Sequence, residues 1–310
     1  MLIHVDKRYI ERQMTGKGKF SARLVQAWHD MGIPITGDPE ICADISYHVG
    51  KVHCTSNAKK HVLRVGPACI DINMNWKKSN HEKAKAVKKA DAIVYQSKYS
   101  KKIYHKLVCK PDKPETVILN GANPKDYEVA PYESNFKHNF LASTRVWLPQ
   151  KRLKDIIKSF LRADIPDSYL IVAGDTRGVE KKYVDLDNML FLGPLSSAVL
   201  ARLYRLATAM ISIVYVDACP NSVAEAQVAG CPVICGSQGG TRELLRFGAV
   251  VLDEPFPYRA MNLDKPPQID RDSLASAMKE ATEWEFPSDA AVDLHIGAIA
   301  KQYLEFFGGL

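Results

Sequence analysis

No stretch of this 310-residue chain approaches the roughly 20 apolar residues that a membrane-spanning helix requires. The apolar start Met1–Val5 runs at once into Asp6, Lys7 and Arg8, which is not the layout of a secretory signal. The seven cysteines form an odd set with no Cys-x-x-Cys pair, so neither a disulfide framework nor a structural zinc site is expected. Reduced thiols suit a cytosolic protein, and Cys231 and Cys235 read as packing residues beside a buried strand. Complete phosphate-binding fingerprints are also missing. In Thr15-Gly16-Lys17-Gly18-Lys19-Phe20, Lys19 is followed by Phe20, which rules out a Walker A loop, and Ser21 stands where a dinucleotide fingerprint needs its third glycine. With no acid placed for a ribose about twenty residues on, a Rossmann dehydrogenase is excluded. Asp185-Leu186-Asp187 spells Asp-x-Asp but precedes an apolar run instead of ending one, so a metal-dependent transferase site is not expected. No internal repeat or low-complexity tract stands out.

Charge is present but lopsided. Residues 1–150 carry 25 Lys/Arg against 14 Asp/Glu, whereas residues 151–310 carry 17 against 21, which makes the first part strongly basic and the second mildly acidic. Much of the excess lies in Lys77–Lys106. Such a run reads either as a solvated helix face or as an attraction to a polyanion, nucleic acid or an anionic membrane.

Apolar runs alternate with helical patterns throughout, which argues for parallel sheets covered by helices. Strands are expected at Leu2–Val5, Ala92–Tyr95, Thr116–Leu119, Asn139–Ser143, Tyr169–Ala173, Met189–Leu192, Ala209–Val216 and Val233–Cys235. Helices are expected at Phe20–Met31 and near 151–163, 197–207, 222–229 and 271–282. The Gly-Ala-Asn-Pro segment after Asn120 marks a boundary. Three parts follow: a first domain over 1–125, a second over 126–290, and a C-terminal helix over 291–310.

The most informative stretch is residues 215–243. The apolar run Met210–Val216 suits a strand that delivers Asp217 to its C-terminal edge, and Pro220 with Asn221 or Ser222 suits the start of a helix. The first helical N–H groups, of Ser222 and Val223, then face a ligand's phosphate oxygens, aided by the helix dipole. Glu225 follows after one turn, and a carboxylate there accepts hydrogen bonds from two vicinal hydroxyls. Diphosphate between two polyol-binding acids is the outline of a nucleotide sugar.

Asp217 and Glu225 with seven residues between them, then Ala226, Ala229-Gly230, Pro232-Val233-Ile234 and Gly239-Gly240-Thr241-Arg242-Glu243, resemble the signature of retaining GT-B glycosyltransferases of the family 4 (glycosyltransferase group 1) type. The family has Glu where this chain has Asp217. Further matches are Ala90–Lys101, Val117-Ile118-Leu119-Asn120-Gly121, Asn188–Gly193 and Leu203-Tyr204 with Ala207-Thr208-Ala209, so that the likeness spans roughly residues 85–245. It implies an α/β fold of two Rossmann-like domains facing across a cleft, with the C-terminal helix crossing back onto the first domain.

The resemblance also implies roles. Ala142–Leu153 matches the segment in which an Arg and a Lys clamp the donor diphosphate and support the departing nucleotide. Lys151 fits that pattern, Arg145 stands six residues before it, and Arg152 is the substitute if the register shifts. Gly16 and Gly18 look like the Gly-rich loop that meets the donor. His48 corresponds to a histidine that some relatives place near the reacting sugar, and Arg64, Asp71 and Lys19 are candidates for acceptor contacts. Asp175 reads as a turn cap. Glu225 is expected on the ribose, Asp217 on the transferred sugar, and the Asn221–Val223 amides with Lys151 and Arg145 on the diphosphate.

The expected activity is metal-independent, retaining transfer from a UDP-, GDP- or similar sugar to a hydroxyl acceptor, with no cofactor beyond that co-substrate. The acceptor is expected to be a cell-envelope glycan or lipid-linked precursor, with the enzyme in the cytoplasm or peripheral at the inner membrane face. A transferase acting on hydroxylated DNA bases and a non-catalytic nucleotide- or glycan-binding module are the alternatives.

Overall fold

The alternation of apolar runs and helices builds two separate sheets. The computed structural model describes all residues except 12–17, 53–55, 184, 254–257 and 288. The chain divides into two compact units. The first comprises Met1–Asn123, Pro257–Met261 and Asp293–Leu310; the second comprises Pro124–Phe256 and Asn262–Val292. The C-terminal helix, Ile296–Gly308, thus belongs to the first unit.

In the first unit, β1 (Ile3–Val5), β2 (Ile35–Thr36), β3 (Ala43–Val49), β4 (Ala58–Arg64), β5 (Ala92–Tyr95) and β6 (Glu115–Val117) lie in the order β2-β1-β3-β4-β5-β6. Every neighbouring pair is parallel. This is the flavodoxin-like winding, which reverses direction between β1 and β3. The helix Lys19–Asp30 lays Phe20, Leu24, Ala27 and Trp28 against one sheet face, a spacing that repeats every turn. Trp28 sits edge-on to Tyr47 and Tyr303, and its indole N–H donates to Ala300 O (3.3 Å), which ties in the C-terminal helix.

The other face is covered by the lysine-rich run. That run forms two helices, Trp76–Lys89 and Lys98–Leu107, separated by β5. Ala86, Val87 and Tyr104 pack on Leu63, Val65, Ile93 and Tyr95, so both helices share one sheet face and turn their lysines away from it. Asn75 caps the first helix by accepting from Lys78 N (3.2 Å), and Ser97 caps the second by accepting from Ser100 N (2.9 Å).

In the second unit, β7 (His138–Val146), β8 (Ser168–Asp175), β9 (Met189–Gly193), β10 (Ala209–Ser212), β11 (Val233–Gly236) and β12 (Gly248–Leu252) lie in the order β12-β11-β10-β7-β8-β9. All pairs are again parallel. Counted from β7, this is the doubly wound Rossmann order. Phe140, Ile156, Phe160, Leu170, Ile211 and Met278 are central to its core.

One expected strand is shorter than its apolar run. Ala209–Val216 leaves the sheet after Ser212, because Tyr215 N donates to Gln150 O (2.9 Å) and the Arg152 guanidinium donates to Ile213 O (3.4 Å). Those bonds draw residues 213–216 off β10 and onto the turn at 149–152.

Candidate functional site

The second sheet reverses between β7 and β10, and open α/β sheets hold ligands at the C-terminal strand ends of such a point. A cleft opens there. Ser143 and Thr144 line it from β7, Ser212 from the end of β10, and Lys151, Asp217 and Ser222 from the turns beyond.

Lys151 ends the short turn Pro149–Lys151. Its ammonium donates to Val146 O (2.8 Å) and to the Thr144 hydroxyl. Burial holds its pKa below that of an ordinary lysine, and Asp217 offsets part of that drop. Asp217 is shifted the other way. Burial raises its pKa, against the opposing pull of the Cys219 N–H (3.0 Å from Oδ1), the Lys151 charge and the Ala218 N–H. Each charge is therefore kept in a dry setting that disfavours it, and an incoming dianion would favour the protonated lysine.

The Gly-Gly turn has a specific task. Gly239 has φ +84°, and a Cβ there would lie 2.6 Å from Asp217 O and 2.8 Å from Asp217 N. Gly240 N donates to Asp217 O (2.7 Å). Glycine at 239 lets this turn press directly on the backbone that carries the acid.

The helix Asn221–Val228 starts differently from the expectation. Pro220 is its cap residue and no side chain caps it, so neither Asn221 nor Ser222 plays that part. Val223 N donates to Pro220 O (3.2 Å) and is engaged in the turn. Glu225 is buried at 6% exposure and lies beside Tyr204, whose hydroxyl pKa is raised first by burial and then by that carboxylate. It stands four residues after Asn221, on the same side of the helix.

Arg145 and Arg152 part company. Arg145 is exposed near the end of β7 and does not line the cleft. Arg152 adopts a left-handed backbone (φ 61°) and is 3% exposed. Its guanidinium donates to Ile213 O and Pro267 O and lies over the Tyr215 ring at 5.1 Å. Arg152 thus braces residues 213–215.

The remaining candidates lie in the first unit. His48 is inside β3 rather than in a loop after it, buried, with Nε2 3.0 Å from His61 Nδ1. Arg64 ends β4, 3% exposed, donating to Asn120 Oδ1 and stacking over Phe20 at 4.4 Å. Asp71 accepts from Asn73 N (3.0 Å) in a local turn, and Lys19 opens the helix Lys19–Asp30 with Gly18 as its cap residue. Gly16 lies outside the described residues. Asp175 accepts from Arg177 N (3.0 Å), which makes it a turn cap.

Sequence reasoning missed Thr144, Ser143 and Ser212. Their signal was available: each sits within three residues of the C-terminal end of β7 or β10, and Thr144 is seven residues before the lysine it holds.

The family model for "Glycosyl transferases group 1" matches residues 137–258, the portion that contains this cleft. The resemblance read from the motifs is therefore found over that span. No curated protein matches the chain. Among solved structures, sucrose-phosphate synthase from Thermosynechococcus elongatus superposes with a TM-score of 0.73 at 14% identity, covering 100% of both chains. A glycosyltransferase involved in avilamycin A biosynthesis gives 0.69 at 16% identity, over 100% of this chain and 98% of that one. HepE of Anabaena in complex with UDP gives 0.65 at 14% identity, over 100% of both. At these identities the likeness establishes the fold, two Rossmann-like domains of GT-B type.

Proposed function

We propose that this protein is a retaining, metal-independent glycosyltransferase that moves a sugar from a nucleotide-sugar donor to a hydroxyl acceptor. The observation that carries the reading is the meeting of Lys151, Asp217 and the uncapped start of the helix Asn221–Val228 at the switch point of a Rossmann sheet. Lys151 and the Ser222 amide take the diphosphate. Glu225 takes the ribose hydroxyls and Asp217 the transferred sugar. The ammonium and the helix dipole supply the positive charge that the departing diphosphate needs, which is the part a metal plays elsewhere.

Retention fits front-face departure. The acceptor oxygen bonds to the anomeric carbon as the bond from that carbon to the phosphate oxygen breaks. The acceptor proton passes to that same phosphate oxygen, so the protein supplies no nucleophile. Asp217 suits an orienting part in this scheme, since its Oδ1 already accepts from Cys219 N. Closing the site over the donor would limit hydrolysis. A cell-envelope glycan or lipid-linked precursor is the acceptor class this reading favours, with the enzyme working from the cytoplasmic side.

The HepE structures contain UDP and UDP-glucose, which makes the uridine series the first to try. A thermal-shift panel of UDP, GDP, ADP and CDP with their sugar conjugates, run on the wild type and on Glu225→Ala, tests the reading. One series should stabilise the wild type, by about 2.7 kcal/mol at a hundredfold excess over Kd, and fail on the variant. No stabilisation by any nucleotide would overturn it.

A further inference from the structure

Met74 and Ile72 are the most exposed large apolar side chains among the described residues, at 62% and 51%. They stand on an ordered loop. Ile72 N donates to Met261 O (2.9 Å), Met261 N to Ile70 O (2.7 Å), Asn73 N to Asp71 Oδ1 (3.0 Å) and Met74 N to Asp71 O (3.1 Å). The loop feeds the helix Trp76–Lys89, whose first turn exposes Lys77 and Lys78, with the Lys77 ammonium 5.7 Å from the Trp76 ring centre.

The neighbouring helix, Lys98–Leu107, packs on the same sheet face and starts at the same sheet edge, directly after β5. The first helix ends just before β5 begins, so its own start lies at that edge as well. Neither helix has an acid in its first turn. Lysines there oppose the helix dipole. Residues 77–110 contain eleven lysines, two acids and no arginine.

We propose that this surface docks on an anionic lipid bilayer: Ile72, Met74 and Trp76 enter the interface, while Lys77, Lys78 and the lysines of both helices are drawn to the headgroup phosphates. Protruding aliphatic side chains gain by leaving water for acyl chains and gain nothing on a sugar-phosphate backbone. Lysine without arginine suits a diffuse negative surface and lacks the forked donors that read bases or clamp single phosphates. The inference rests on the sugar-transfer reading only for its consequence, that the acceptor is presented at a membrane.

Full-length protein is sedimented with vesicles of phosphatidylcholine alone or mixed with phosphatidylglycerol. Binding should require phosphatidylglycerol and fall with salt. Lys77→Gln and Lys78→Gln should each weaken it roughly fivefold, and the double variant Ile72→Asp/Met74→Asp by about tenfold or more. The nucleotide thermal shift of all these exposed-site variants should match the wild type, so that a failed surface is told apart from a failed donor site. Absent vesicle binding, equal binding by the variants, or tighter binding to duplex DNA than to the vesicles would each overturn the proposal.

Discussion

The two sheets reverse direction in the same way but carry different chemistry at the reversal. Between β7 and β10 stand opposite charges, Lys151 and Asp217, each disfavoured by its burial. Between β1 and β3 stand a ring and hydroxyls: His4 Nδ1 lies 2.8 Å from Ser46 Oγ and Ser56 Oγ donates to that same oxygen at 2.8 Å, while His48 meets His61 one strand further on, between β3 and β4. The first arrangement keeps an uncomfortable positive charge in a cleft, which makes sense where an anion arrives. The second pairs polar groups with one another, which is what a sheet interior asks for.

Removing Lys151 should break the comparison most completely, since it leaves the second reversal with an acid alone. Lys151→Ala should lower kcat/KM for transfer by on the order of 10²–10³, the usual cost of losing one preorganised group that stabilises developing charge. Folding should be little affected, because the ammonium is itself held against a desolvation penalty. Steady-state kinetics beside a denaturant titration would check both halves. An unchanged kcat/KM would put the diphosphate elsewhere.

A smaller effect is expected at the turn that supports Asp217. Gly239→Ala forces a Cβ to 2.6 Å from a backbone oxygen at positive φ, and should cost about 1–3 kcal/mol while displacing the acid. Gly50→Ala is the matched control in the first unit: its φ is +73°, but nothing lies within 4 Å of the added Cβ. It should cost about 1 kcal/mol or less and leave nucleotide binding intact. Equal losses in the two variants, by urea titration and nucleotide affinity, would remove the special role of residue 239.

Legibility in the sequence follows the same divide. From Asp217 to Glu243 the motif is contiguous, because strand, turn, helix and glycine pair are laid out in the order in which the chain builds the site. Lys151 was readable for the same reason. The inward turn of Arg152 was not readable, because it depends on a left-handed residue that no spacing announces. Asn221 failed as a cap because Pro220 already occupies that position. In the first unit, β4 begins Ala-Lys-Lys and shows a buried pattern only from Val62 onward. The helix Trp76–Lys89 buries only Asn80, Ala86 and Val87, too little for its apolar stripe to outweigh nine other polar and charged positions read as surface. Two helices therefore looked like one charged run, and the apolar loop before them carried no motif at all.

The smallest expected effect concerns pH, and it has opposite signs in the two units. Burial lowers the His4 pKa below the ordinary 6.5, with Asp6 and Asp38 opposing the shift and His61 adding to it. As pH falls through 6.5 the unfolded chain takes up that proton first, so the first unit loses stability until the folded histidine also titrates. Asp217 is raised above the ordinary 3.8, so on acidification the folded second unit takes up its proton before the unfolded chain does. That step adds stability to the second unit. A denaturant series across pH, followed by hydrogen exchange in each unit, should show the first unit losing stability through the His4 step and the second gaining it through the Asp217 step. His4→Asn, which can keep a hydrogen bond to Ser46, should flatten the first slope, and Asp217→Asn should erase the second. Parallel slopes in both units would mean that the polar network and the charged pair are not set apart by burial in the way their geometry implies.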